Sequence, residues 1–73
     1  MMTERRMRFQ RLIVEACNMD TDWLIRNCRD PRNRSHATRL SLLACLRVIS
    51  SRTYTGGLPY RDRMKIVKAQ VFS

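Results

Sequence analysis

The chain has 73 residues, 15 of them basic and six acidic, and so carries a net charge of +9. Apolar residues make up 44% of it, which is too many for a disordered tail. No apolar run approaches the roughly 20 residues that span a bilayer, and none follows the basic N-terminus as in a secretory signal. We therefore expect one small helical domain over residues 1–73, intracellular and either cytoplasmic or nuclear, with membrane attachment disfavoured.

The first predicted helix runs from Glu4 to Cys17, with Thr3 as its N-cap and a Glu4–Arg8 ion pair. Apolar residues recur at helical spacing and predict one inward face, made of Phe9, Leu12, Ile13, Ala16 and Cys17. A basic cluster shares this helix: Arg5, Arg6, Arg8 and Arg11. The cluster is compatible with a localisation signal, a phosphate clamp, or an amphipathic helix that binds a membrane surface or a partner groove.

A short second helix is predicted after Asp20, its expected N-cap. Trp23, Leu24 and Cys28 are expected to point inward. The helix should end at Asp30, because a residue that precedes proline is disfavoured in the α conformation.

The third predicted helix starts at Pro31, with Asp30 as its N-cap, or later at Ser35, and runs to about Ser51. It is apolar nearly all round, and such a helix is buried on more than one side. We therefore expect a homodimer in which this central helix (31–51) meets its twin. The interface residues would be Leu42, Leu43, Leu46 and Ile49. The alternative is a central helix wrapped by its own chain.

The C-terminal part allows more than one structure. A loop around Gly56-Gly57 followed by a helix from Pro59 is preferred, with Tyr60, Met64, Val67 and Val71 inward. A Gly-Gly hairpin and a closing strand over 64–72 stay open as alternatives. The fold class expected is all-α, a bundle of three to four helices.

The candidate site is a basic stripe on the third helix. At 100° per residue, five side chains fall within a sector of roughly 80°: Arg32, His36, Arg39, Arg47 and Ser50. Arginine grips phosphate with a planar fork of donors, and 13 of the 15 basic residues are Arg. With the neighbouring turn and the C-terminal stripe, the candidate nucleic-acid contacts are Arg29, Arg32, Arg34, Arg39, Arg47, Arg61, Lys65 and Lys68.

Other chemistries find little support in the sequence. Four residues of metal-binding type occur (Cys17, Cys28, His36 and Cys45), but without the close pairs of zinc sites. Neither a metal nor a cofactor is expected. A single His, and the lack of carboxylates paired in an apolar setting, argue against an enzyme. Phe9 and Trp23 are expected in the core, whereas Tyr54 and Tyr60 lie where bases could stack on them.

These features predict a nucleic-acid-binding protein that contacts phosphates without regard to base sequence, and we favour double-stranded RNA over DNA. In architecture the expected assembly resembles the small helical dimers with which some viruses sequester double-stranded RNA. The resemblance implies a viral accessory protein that acts on a host. The alternative function is an interaction module that docks on a host or partner regulatory protein through its apolar central helix.

Overall fold

The computed structural model of the chain describes residues 3–53 and 56–72. In these ranges the regular secondary structure is helical, without a strand, so the all-α prediction is confirmed for them. The α-helices described are α1 (Glu4–Cys17), α2 (Thr21–Arg29), α3 (Arg39–Thr53) and α4 (Tyr60–Phe72). None of the described helices is long and apolar enough to cross a membrane.

Helix α1 has its predicted bounds, and its N-cap is confirmed because Thr3 Oγ1 accepts a 3.2 Å hydrogen bond from the backbone of Arg6. Ala16 is buried, and the other inward residues, Phe9, Leu12 and Ile13, are half-buried. The prediction that Cys17 faces inward is wrong: it is the last residue of α1 and is exposed.

Helix α2 follows Asp20, whose extended backbone starts the helix although its side chain makes no capping hydrogen bond. It ends before Asp30, which is extended as its place before Pro31 requires. Leu24 and Cys28, one turn apart, are fully buried. The prediction for Trp23 is wrong: its side chain is 41% exposed, since it is rotated by about 100° from the single stripe of α2 that faces the core.

The segment between α2 and α3 corrects the third predicted helix. Residues 31–33 and 36–38 form two separate 3-10 turns, and the α-helix begins only at Arg39. Local side-chain bonds stabilise the first turn: Asp30 Oδ1 accepts from the backbone of Arg32 at 3.0 Å, and Asn33 Nδ2 donates to the carbonyl of Asn27 at 2.7 Å. Such bonds compete with helix formation. The later predicted start at Ser35 is also too early, because Ser35 precedes the second 3-10 turn and makes no side-chain capping hydrogen bond.

Helix α3 is the centre of the core and contacts α1, α2 and α4. Its buried residues are Ala44, Cys45, Leu46, Val48, Ile49 and Ser50. The chain itself therefore covers Leu46 and Ile49, two of the four residues assigned to a dimer interface. Leu42 and Leu43, the other two, are half-buried, and the homodimer stays a prediction.

Helix α4 begins directly after Pro59, whose carbonyl accepts from the backbone N–H groups of Asp62 and Arg63 at 3.0 and 3.1 Å. The preferred helix is thus the structure found over Tyr60–Phe72, and it includes the whole of 64–72, for which a strand is the alternative. Met64, Val67 and Val71 are buried as predicted, but Tyr60 is exposed. Two residues of the alternative hairpin, Tyr54 and Thr55, lie outside the described residues.

Candidate functional site

Two adjoining cavities lie on the face of the molecule where α3 begins. The first, here called the basic shelf, has a volume of about 470 Å³. It is lined by Glu4, Arg5, Arg8, His36, Ala37, Arg39 and Leu40. The first turns of α1 supply two of its arginines three residues apart, on one face of the helix. The second 3-10 turn and the start of α3 supply His36 and Arg39.

The second cavity, here called the leucine groove, has a volume of about 700 Å³ and runs between the start of α3 and the end of α4. It is lined by Asn33, Arg34, Ser35, His36, Arg39, Leu42, Leu43, Leu46, Lys68 and Phe72. His36 and Arg39 line both cavities and therefore form the ridge between them.

A third, smaller cavity of about 280 Å³ extends this face under α1. It shares Arg5 and Leu40 with the basic shelf, and Leu43 with the leucine groove. The three cavities thus form one continuous surface, basic at the shelf and apolar along α3.

The arginines of this surface have free donors. Among residues 3–53 and 56–72, the ion pair found is Arg32–Asp30, at 2.7 Å. In the same ranges, the guanidinium groups of Arg5, Arg8, Arg34 and Arg39 make no hydrogen bond or ion pair. The predicted Glu4–Arg8 ion pair is not formed, although both residues line the shelf. Unpaired arginines produce a positive field with donors available to an anion.

Of the nucleic-acid contacts predicted from the sequence, some line this surface and others lie elsewhere. Arg34, Arg39 and Lys68 line the leucine groove. Arg61 and Lys65, seven and three residues before Lys68, are exposed on α4 outside the three cavities.

Three other predicted contacts, Arg29, Arg47 and Arg32, have partners within the chain. Arg29 donates from Nε to the carbonyl oxygen of Val71 at 2.6 Å and from a terminal nitrogen to that of Gln70 at 3.4 Å. Arg47 lies over the ring of Tyr60, 5.5 Å from its centroid, and so makes a cation–π contact.

Arg32 is 88% exposed at its side chain and pairs with Asp30. Its side-chain and backbone hydrogen bonds hold the pKa of the Asp30 carboxyl below its usual value. The carboxylate offsets the charge that Arg32 would present to phosphate.

The prediction that five side chains form one stripe on the third helix is therefore wrong. Arg32 belongs to a separate 3-10 turn, and Ser50 is only 2% exposed, inside the core. The grouping that the structure adds instead is Arg5 and Arg8 with His36 and Arg39. Both halves of this group were recognisable as basic clusters, but no local signal indicated that α1 and α3 bring them together.

The cysteines are arranged as apolar core residues. Cys28 and Cys45 are buried neighbours, and Asn27 Nδ2 donates to Cys45 Sγ at 3.7 Å. The hydrogen bond with Cys45 and burial both raise the pKa of the Cys28 thiol. Within the described ranges, no three His, Cys, Asp or Glu residues are grouped so that they could hold a metal ion.

Comparison with models of protein families, with curated proteins and with solved structures gave no match to this chain.

Proposed function

We propose that this chain binds nucleic acid, most favourably double-stranded RNA, through the basic shelf. The observation that carries the proposal is the meeting of Arg5 and Arg8 with His36 and Arg39 around one cavity that holds a single acid, Glu4. These side chains come from two segments about 30 positions apart, so the positive charge is concentrated by the fold and not only by composition.

Phosphate is the anion that this set of donors fits best. Arginine forks bind phosphate oxygens bidentately, and such contacts supply most of the affinity of sequence-independent binding. Because Arg5, Arg8 and Arg39 have no partner in the described chain, binding would not have to break an existing ion pair. Arg34 and Lys68, on the adjoining groove, extend the track in the direction of α4.

A duplex is favoured over a single strand because single-strand binders stack bases on aromatic side chains along a basic groove. No Phe, Tyr or Trp lines the shelf, and Tyr60 is engaged by Arg47 and Arg63. RNA is favoured over DNA because the wide, shallow minor groove of A-form RNA exposes its backbone and 2′-hydroxyls to contacts that depend on shape.

The test is a titration of fluorescent duplex RNA at two salt concentrations about fourfold apart, with single-stranded RNA and duplex DNA as competitors. The variant Arg5→Gln/Arg8→Gln removes two charges from the shelf. Its matched control, Arg26→Gln/Arg61→Gln, removes two exposed charges from outside the three cavities.

We expect the shelf variant to lose about tenfold in affinity and the control to lose about twofold or less. Each lost phosphate contact should also reduce the slope of log affinity against log salt, by about 0.9 on a B-DNA-like duplex. Equal losses in the two variants, or binding that does not respond to salt, would contradict the proposal.

A second candidate function, docking of a protein partner, is favoured by the apolar floor of the leucine groove. Phosphates cannot use Leu42 and Leu43, which stay half-buried, or the exposed Phe72.

A further inference from the structure

The leucine groove combines an apolar floor with a basic rim. The floor consists of Leu42, Leu43 and Leu46 of α3 and Phe72 of α4. Phe72 is 41% exposed, and Leu42 and Leu43 are half-buried, so the floor keeps apolar surface that the chain does not cover. Covering it with an apolar ligand would release ordered water and be favourable.

The rim carries one sign of charge. Its charged residues are Arg34, Arg39 and Lys68, and no acidic residue lines the groove. The turn that carries Arg34 is held in place, since its N–H donates to the carbonyl of Pro31 at 3.3 Å and Asn33 Nδ2 binds both the carbonyl and the side-chain oxygen of Asn27. The backbone of this turn therefore loses little entropy when a ligand binds.

We propose that the leucine groove binds an amphipathic helical segment of a partner protein, with apolar residues on one face and Asp or Glu along its edges. The apolar face would fill the floor at the i, i+3, i+4 and i+7 spacing of helix-in-groove recognition. The acidic edges would face Arg34, Arg39 and Lys68. This inference names the partner for the second candidate function and does not depend on RNA binding.

Charge complementarity argues against two other occupants. A second copy of this chain carries a net charge of +9, so it would bring positive charge to a positive rim. A nucleic-acid backbone would satisfy the rim but leave the leucines and Phe72 against water, because phosphates and sugars do not fill an apolar floor.

The probe is a fluorescein-labelled synthetic peptide of about four helical turns, roughly 14 residues. It has Leu at the four anchor positions, Glu or Asp along the two edges of that face, and Ala elsewhere. A matched peptide replaces every acid by Lys. Binding to the full chain is followed by fluorescence anisotropy, and the mass of the free protein by light scattering.

Two variants on the groove have matched controls on the same helix. Phe72→Ala removes an exposed apolar side chain from the floor, and Ile66→Ala removes one that is 38% exposed outside it. Lys68→Glu reverses a charge on the rim, and Lys65→Glu reverses one outside the groove. None of the four residues is buried, so each variant is expected to fold.

We expect the acidic peptide to bind with a Kd below about 100 μM and the basic peptide not to bind measurably. Phe72→Ala and Lys68→Glu should each weaken binding about fivefold or more, and their controls about twofold or less. The shelf variant Arg5→Gln/Arg8→Gln should keep peptide binding even where it loses RNA, which separates failure of this inference from failure of the proposed function.

Three results would overturn the inference: no binding of the acidic peptide, equal binding of the two peptides, or equal effects of variants and controls. A dimer that Phe72→Ala dissociates would assign the groove to a second copy instead. A loss of duplex RNA affinity in Phe72→Ala as large as the loss of peptide affinity would assign the groove to nucleic acid.

Discussion

Arg29 donates from Nε to the carbonyl oxygen of Val71, which lies 42 residues later in the chain, at 2.6 Å. The last carbonyl groups of a helix have no partner within it and carry partial negative charge. Arg29 supplies both a donor and a positive charge to the end of α4, and thereby ties α4 to α2. Arg29, which the sequence predicts to contact phosphate, thus links two helices by a hydrogen bond.

Arg52 does the same at the end of α1. Its guanidinium donates to the carbonyl oxygens of Cys17 and Met19, at 2.8 and 2.7 Å, and to Thr21 Oγ1 at 3.2 Å. It therefore ties the end of α3 to the turn between α1 and α2. Part of the arginine excess of this chain stabilises the fold and is not available to a ligand.

The variant Arg52→Met keeps most of the aliphatic stem of the side chain but removes the three donors. We expect the free energy of unfolding to fall by about 1–2 kcal/mol, because hydrogen bonds that involve a charged group contribute at that level and this site is partly screened by water. Urea unfolding followed by circular dichroism measures the change. Arg61→Met is the control, and an equal loss there would show that the effect is one of general charge.

Ser50→Ala should raise stability. Ser50 is 2% exposed, and its Oγ has no hydrogen-bond partner within the described parts of the chain. Burying such a hydroxyl costs about 1–3 kcal/mol, and alanine fits the same space, so we expect a gain of about 1 kcal/mol.

Ser51→Ala provides the comparison for Ser50. Ser51 Oγ already donates to the carbonyl of Val48 at 2.9 Å, and the residue is exposed, so its replacement should change stability little. Thermal unfolding of both variants and the parent chain shows whether each substitution raises or lowers stability. A loss of stability in Ser50→Ala would mean that the hydroxyl has a partner in solution.

The three cysteines should differ in their reaction with iodoacetamide. Cys17 is exposed and should be labelled in the native protein, whereas Cys28 and Cys45 are buried and should be labelled only on unfolding. The hydrogen bond from Cys28, aided by the one from Asn27, lowers the pKa of Cys45 to about 7, yet burial denies the reagent access to its thiolate.

Mass spectrometry after a timed reaction counts the labels on each cysteine. The variant Cys17→Ser should remain unlabelled while folded. Rapid labelling of Cys45 in that variant would show that the contact between α2 and α3 opens without global unfolding.

Asp30 should make the free energy of unfolding depend on pH in the acid range. Its pKa is lowered in the folded chain by the side-chain and backbone hydrogen bonds from Arg32. A carboxyl with a depressed folded pKa stabilises the fold above its unfolded pKa, about 3.9, and that contribution is lost as the pH falls through the lower folded pKa.

Asp30→Asn keeps the shape of the side chain and removes its charge. We expect the variant to have a lower Tm than the parent chain at neutral pH and the same Tm at a pH below the folded pKa of Asp30. Because the Arg32 side of the pair is exposed to solvent, the difference should shrink in high salt. A difference in Tm that is constant across the acid range would contradict the role assigned to the charge.

Much of the local structure could be predicted from the sequence because its causes lie within a few residues. Thr3 starts α1 through a bond to the residue three positions later, Pro31 ends α2 by a clash with Asp30, and Pro59 precedes α4. Helical spacing also placed Leu24, Val67 and Val71 in the core correctly. The helix predicted from residue 31 is wrong over 31–38, because the hydrogen bond that Asp30 accepts from Arg32 and the one that Asn33 donates to Asn27 compete with helical bonds.

The candidate site could be predicted only in part, since its members depend on partners far along the chain. Sequence alone determined that the chain is strongly basic, helical and rich in arginine. Only the tertiary structure decided that Arg29 and Arg52 bind helix ends, that Trp23 faces outward, and that Arg5 and Arg8 meet His36 and Arg39. The physical reason is reach: a helix is specified by neighbours within one or two turns, whereas a long charged side chain takes whichever partner the packing of distant helices brings near it.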